Sequence, residues 1–337
     1  MSSRFDDYLW DPQTPSDPEI AAFERILAPS SARSRGLTEH AIAVRKGKRW
    51  LIRTVAGTSI ISMCVALFAA YYVYRLDWRD SSPWRAVTLN DSAQVKAGTR
   101  TEWAVGESLV TQAGQTSTVN VARIGTLTIS ENSELQLLLT RKDRHRVELT
   151  YGHVHAKIWA PPAYFGIESG ATSVIDMGCE FDLRIDRDRI GSLSVTSGWV
   201  IYRAGETELS MPAGYAVNFD ADSAELPFRQ DVSDALRTRV AELEVLLANN
   251  APVDAAAAAI AQMARQDDYY TLLQLLIRYP TLADGPLYSA LGIALSAPQS
   301  PDHRKRWAEG ERSARNEWWR LLPTQPKTWW VNWRDAF

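Results

Sequence analysis

The sequence predicts a membrane-anchored α+β protein: one transmembrane helix, then an all-β antiparallel sandwich or roll, then a small all-α domain. Three observations predict it. Residues Thr54–Tyr74 (TVAGTSIISMCVALFAAYYVY) carry no charge, and a helix of that length rises roughly 30 Å, the thickness of a bilayer's hydrocarbon core. Between 101 and 220, short runs alternate apolar and polar residues, punctuated by Gly, Asn, Asp or Pro, as antiparallel strands do. After Asp231 the apolar period lengthens to that of helices.

Residues 1–49 read as a short polar head. Pro12 and Pro15 break any early helix, Ser16 or Asp17 can cap a new one, and Pro18 suits its first turn. Ile20, Phe23, Ile26 and Leu27 then share one face of a short amphipathic helix. That face, with Tyr8, Leu9 and Trp10 before it, needs something to pack against. It either closes on itself, lies on a bilayer, or docks a cytoplasmic protein; the docking residues would be Tyr8, Leu9, Trp10, Phe23 and Leu27.

The apolar span falls within residues 50–75. Arg45, Lys46, Lys48, Arg49 and Arg53 crowd its N-terminal side with no acid among them, whereas Arg75 and Arg79 are interleaved with Asp77 and Asp80. The positive-inside rule then puts the head in the cytoplasm and the body across the membrane, with Trp50 and Tyr71, Tyr72 and Tyr74 as interfacial anchors. A buried core helix is the alternative, favoured by Gly57, Thr58, Ser59 and Ser62. The run starts too far in, and is too long, for a cleaved signal peptide. Of the two cysteines, Cys64 lies in the span, so a disulfide with Cys179 is not expected.

Residues 76–100 read as a polar linker and 101–220 as the β-domain. DRDRIG, with Asp186 and Asp188, reads as a hairpin connection. Helices are expected over 231–322: one capped near Asp231–Ser233 with Leu236, Val240, Leu243 and Leu247 on one face, then Asp254–Arg265, Asp268–Arg278, Leu287–Ser296 and His303–Leu322. Residues 323–337 form a Trp-rich tail. Trp329, Trp330 and Trp333 in it either pack back on the helices, as Trp318 and Trp319 would, or meet a partner protein, a glycan or the membrane.

A formal net charge of −3 gives no global reason to expect direct nucleic-acid binding. His153 and His155 share a strand face and could approach Cys179 or Asp182, but the spacing shows no third metal ligand. The residues around Ser194–Ser197 lack a nucleophile elbow, and no phosphate loop or dinucleotide fingerprint occurs. No catalytic role, metal or cofactor is expected.

The β-region runs Leu149-Thr-Tyr-Gly152, Phe165-Gly-Ile-Glu-Ser, Asp176-Met-Gly-Cys-Glu-Phe-Asp-Leu-Arg-Ile, Val195-Thr-Ser-Gly-Trp-Val200 and Leu209-Ser-Met-Pro-Ala-Gly214. In order and spacing this resembles the periplasmic domain of FecR-like proteins, single-pass regulators that work with extracytoplasmic-function sigma factors. The resemblance implies a bacterial inner-membrane protein with a periplasmic body, a binding domain rather than an enzyme, and protein partners in both compartments, a sigma factor being the cytoplasmic one. An envelope adaptor using the same fold as a binding platform is the alternative. Gly178, Gly198 and Gly214 would serve tight turns, and Phe181, Leu183, Val195, Val200 and Tyr202 would point inward. Two departures stand out: the head has room for one helix where an anti-sigma domain has several, and Gly178-Cys179 replaces the family's common Gly-Thr.

Overall fold

The computed structural model describes residues 62–90, 99–205, 207–221 and 223–323. The chain divides into two units, Met1–Phe68 and Ala69–Phe337. Outside the described residues lie the head with Tyr8, Leu9, Trp10, Phe23 and Leu27, the basic group Arg45, Lys46, Lys48, Arg49 and Arg53, and the tail tryptophans Trp329, Trp330 and Trp333. Of the apolar stretch, residues 62–74 are described and belong to a helix over 62–76, here α1. Among the described residues no helix is long and apolar enough to cross a membrane; the expected span also needs 54–61, which are not among them.

The fold is mixed α+β, with a large β-structure followed by helices. One sheet runs from β2 (Thr99–Trp103) through β1 (Trp84–Asn90), β4 (Gln115–Val121), β5 (Gly125–Ile129), β7 (Arg144–Ile158), β10 (Glu180–Ile185), β11 (Gly191–Ser197) and β14 (Tyr215–Phe219) to β15 (Phe228–Arg229). The other runs from β3 (Ser108–Thr111) through β6 (Ser133–Arg141), the same β7, β8 (Phe165–Ser169), β9 (Thr172–Asp176) and β12 (Trp199–Ala204) to β13 (Thr207–Pro212). Strand β7 belongs to both.

Chain length requires β7 to bend. Straight, the steps from His145 to Ile158 would cover roughly 43 Å, yet the seven steps from Ile158 to Phe165 can return only about 25 Å, and Phe165 pairs with His145. The bend is at Gly152, whose φ of 116° suits glycine. A Cβ there would come within 2.5 Å of Ser133. The buried phase shifts at this corner, from His145, Val147 and Leu149 to Val154, Ala156 and Ile158. The fold-back also makes β7–β8 parallel, where an all-antiparallel domain was expected.

Both sheets line one core. Phe181, Leu183 and Val195 from the first meet Val200 and Tyr202 from the second, all fully buried, and the Tyr202 and Phe219 rings lie 5.0 Å apart. These are the positions expected to point inward. Gly178, Gly198 and Gly214 all adopt positive φ, and a Cβ at Gly198 would lie 2.3 Å from the Gly178 carbonyl oxygen. In the hairpin, Asp186 Oδ1 accepts from the Asp188 and Ile190 amides at 2.9 and 2.8 Å.

The linker expected over 76–100 gives way to strands: β1 lies within it and β2 starts at its end. Trp84 and Ala86 are fully buried, and the Trp84 indole donates to Thr140 Oγ1 at 2.9 Å. The pairing of β1 is with residues 115–120, some thirty positions on.

Ser233 caps α2 (Asp234–Ala248), its hydroxyl accepting from the Leu236 amide at 3.3 Å. There follow α3 (Asp254–Met263), α4 (Tyr269–Arg278) and α5 (Pro286–Ala294). The single helix expected over His303–Leu322 is two, α6 (Pro301–Ala308) and α7 (Arg312–Trp319), separated at Gly310 with φ 80°. The helices share the β-structure's core. Trp319 packs on Trp199 of β12 and Tyr270 of α4, at ring distances of 5.9 and 5.7 Å. Trp318 is fully buried against Tyr288 and Trp307.

Candidate functional site

Beyond the corner, period two turns His153, His155 and Lys157 away from the core. The register sets Asp182 opposite His155 and Glu180 opposite Lys157. Asp182 bridges the histidines, accepting from His153 Nε2 at 2.9 Å and His155 Nδ1 at 3.2 Å. Glu180 continues the row, 3.2 Å from His155 Nε2 and 3.1 Å from Lys157 Nζ. Ser130 Oγ closes its other end, 2.9 Å from His153 Nδ1. The result is a half-buried line of alternating charge-bearing groups. Cys179 does not join it, and among the described residues no three such side chains are arranged to hold a metal ion.

His153 also borders an open groove of about 1040 Å³, with Tyr151, Arg184, Arg187, Asn218 and Glu225 around it. The Arg187 guanidinium sits 4.5 Å from the Tyr151 ring centre. Most of its lining side chains are polar or charged, so the groove suits a ligand held by hydrogen bonds and one aromatic face.

At its other end the row reaches α1. Lys157 lies 5.7 Å and Arg75 5.8 Å from the Trp159 ring centre. Arg75 Nε donates to the Arg123 carbonyl at 3.1 Å. Arg123, in the turn between β4 and β5, donates from Nη1 to the carbonyls of Tyr74 and Asp77 at 2.9 and 2.8 Å and stacks 3.9 Å over the Tyr74 ring. The last carbonyls of a helix have no partner within it, and a guanidinium there is also favoured by the helix dipole. This is a reciprocal arginine clasp between the end of α1 and the β-structure. Arg123→Ala is expected to speed amide exchange at 74–78 at least tenfold, with the amides of β10 unchanged, as read by hydrogen exchange and mass spectrometry; the figure corresponds to about 1.5 kcal/mol for a charge-assisted hydrogen bond.

The Cys179 thiol donates to Asp176 Oδ1, and the Cys179 and Gly178 amides donate to the same carboxylate at 2.9 and 3.0 Å. Burial nevertheless pushes Asp176 up to about 7, against those three donors. Burial pushes the Cys179 thiol well up, so it is a structural group and not a reactive one. Cys64 and Cys179 are both free.

Sequence reasoning placed His153 and His155 on a common face and named Asp182 as an approach. It missed Arg123, Glu180 and the groove. The spacing His153, His155, Lys157, Trp159 was itself a signal, since period two puts all four on one side of a strand.

No family model and no curated protein matches the chain. Two crystal structures of a candidate anti-sigma factor from Parabacteroides distasonis ATCC 8503 are similar to part of it. The first is 14% identical over 40% of this chain and 63% of that one, with a TM-score of 0.33. The second is 12% identical over 46% and 63%, with a TM-score of 0.29. This chain thus spans under two thirds of each, and at such scores the likeness carries no argument about fold or role.

Proposed function

We propose that the chain is a FecR-like signal-transduction protein of a bacterial inner membrane. It would be anchored by Thr54–Tyr74, with the head in the cytoplasm and the body in the periplasm. The body binds a signal or an envelope partner and does no catalysis; the head engages a cytoplasmic protein, an extracytoplasmic-function sigma factor in the first instance. The membrane anchor and its direction rest on the sequence. Support comes also from the described part of the stretch: Met63, Val65, Leu67, Phe68 and Tyr71 are all at least 59% exposed, and an apolar surface of that kind is unfavourable in water.

The observation that carries the reading is the arginine clasp. A flexible tether would let a binding domain move without consequence for the helix, whereas Arg123 and Arg75 bind the two at four carbonyls. The row from Ser130 to Lys157 connects the groove to that clasp.

The test is co-purification. Full-length tagged chain, extracted in detergent from cells expressing candidate sigma factors, is expected to retain one of them, and deletion of residues 1–49 to abolish it. Retention of none, with reporter transcription unchanged on deleting the head, overturns the regulatory reading in favour of the envelope adaptor.

A further inference from the structure

We propose that the hollow between the C-terminal end of α1 and the β-structure binds the phosphate headgroup of an anionic phospholipid. The hollow measures about 620 Å³, and its charged lining is three arginines, Arg75, Arg85 and Arg123, against one carboxylate, Glu102. The clasp leaves donors over. Arg75 gives Nε and Nη2 to carbonyls and Arg123 gives Nη1, so Arg75 Nη1 and Arg123 Nε and Nη2 face no protein acceptor among the described residues. Arg85 is exposed and makes no side-chain hydrogen bond or ion pair there. Guanidinium forks with spare N–H groups match phosphate oxygens.

Trp159 and Tyr71 complete the site. Trp159 is 62% exposed although it directly follows core strand β7, and it sits beside Arg75 and Lys157. Indoles flanked by cations are placed so at membrane–water interfaces, where the ring is half dry and the cation meets headgroups. Tyr71, 60% exposed on α1, lines the hollow beside Arg75, so a lipid whose tails passed over that ring would bring its phosphate to the arginines. The site rests on the membrane reading above, and adds that the β-structure itself, through Arg85, Arg123 and Trp159, takes part in the contact.

The experiment uses the full chain in dodecyl maltoside, titrated with phosphatidylglycerol or phosphatidylcholine and read by native mass spectrometry. Phosphatidylglycerol is expected to be retained preferentially. Arg85→Gln should weaken it about fivefold, the worth of one cation near an anionic surface, with Arg85→Lys recovering most of the loss. Trp159→Ala should weaken it too. Arg312→Gln, an exposed arginine on α7, should leave it unchanged. Equal retention of both lipids, or an Arg85→Gln chain that binds as the wild type does, overturns the site. Displacement by equimolar glycerol 3-phosphate also overturns it, because the site would then read free phosphate and not a lipid. Carbonate washing of cell membranes separates the two readings: a chain washed off but still selective for phosphatidylglycerol loses the anchor and keeps the site, and a chain retained without selectivity keeps the anchor and loses the site.

Discussion

Replacing Gly152 by alanine is expected to destabilise the fold by about 3 kcal/mol or more, through strain at a positive φ together with a clash. The residue has φ 116°, and its missing Cβ would overlap Ser133 at 2.2–2.5 Å, backbone included. Ser133 cannot retreat easily: it is fully buried, its hydroxyl accepts from the His153 amide at 3.1 Å, and its own amide donates to Thr111 at 3.1 Å. Gly106 supplies the control. It has a similar φ of 88° with open space where the Cβ would go, so Gly106→Ala should cost only about 1 kcal/mol from the backbone alone. Urea midpoints of the two variants measure the difference. Equal losses would mean that the corner is governed by φ and not by crowding.

The second large effect is a pair of opposed pH dependences. Burial, with Arg146 beside it, pushes His145 down to about 4, while burial pushes Asp176 up to about 7. A histidine whose native pKa is depressed contributes stability that is present above its unfolded value near 6.5 and is lost as pH falls toward 4. An aspartate whose native pKa is raised contributes stability that is present below its unfolded value near 3.8 and is lost as pH rises through 7. Each shift is worth on the order of 3–4 kcal/mol in full. Between about pH 4 and 6.5 they run against each other, so the wild-type chain hides both. Asp176→Asn should therefore gain on the wild type as pH rises from 4.5 to 7, by about 1 kcal/mol per unit. His145→Gln, which keeps an acceptor for the Thr140 hydroxyl 2.8 Å away, should gain as pH falls over the same interval. Urea titrations at four pH values give both slopes. Parallel curves for variants and wild type would show that neither group carries the linkage.

Much of the architecture was legible because it is local. Alternation gave the inward residues of β10 and β12, Ser233 announced its helix, and Asp186 announced its hairpin, each within a few positions along the chain. What was not legible depends on partners far away. Strand β1 looked like linker because a short run such as Trp84–Asn90 becomes a strand only against residues 99–103 and 115–120. Arg123 looked like any surface cation, since its partners are backbone carbonyls 46 and 49 positions upstream, which no side-chain pattern reveals. The meeting of His153 and His155 with Asp182 needed the register of β7 on β10. The split of the last helix was readable after all, from Gly310 alone.

Strand β7 divides its residues in a way that bears on how such a protein can diversify. Val154, Ala156 and Ile158 are held by the core, while His153, His155 and Lys157 face outward between them and exposed Trp159 follows the strand's end. Substitutions at the odd positions can accumulate without touching the fold, whereas one inserted or deleted residue between 153 and 158 would exchange the two sets. Descendants of this sequence are therefore expected to keep a fixed length through the segment and to vary in what it recognises, residue by residue, on an unchanging frame.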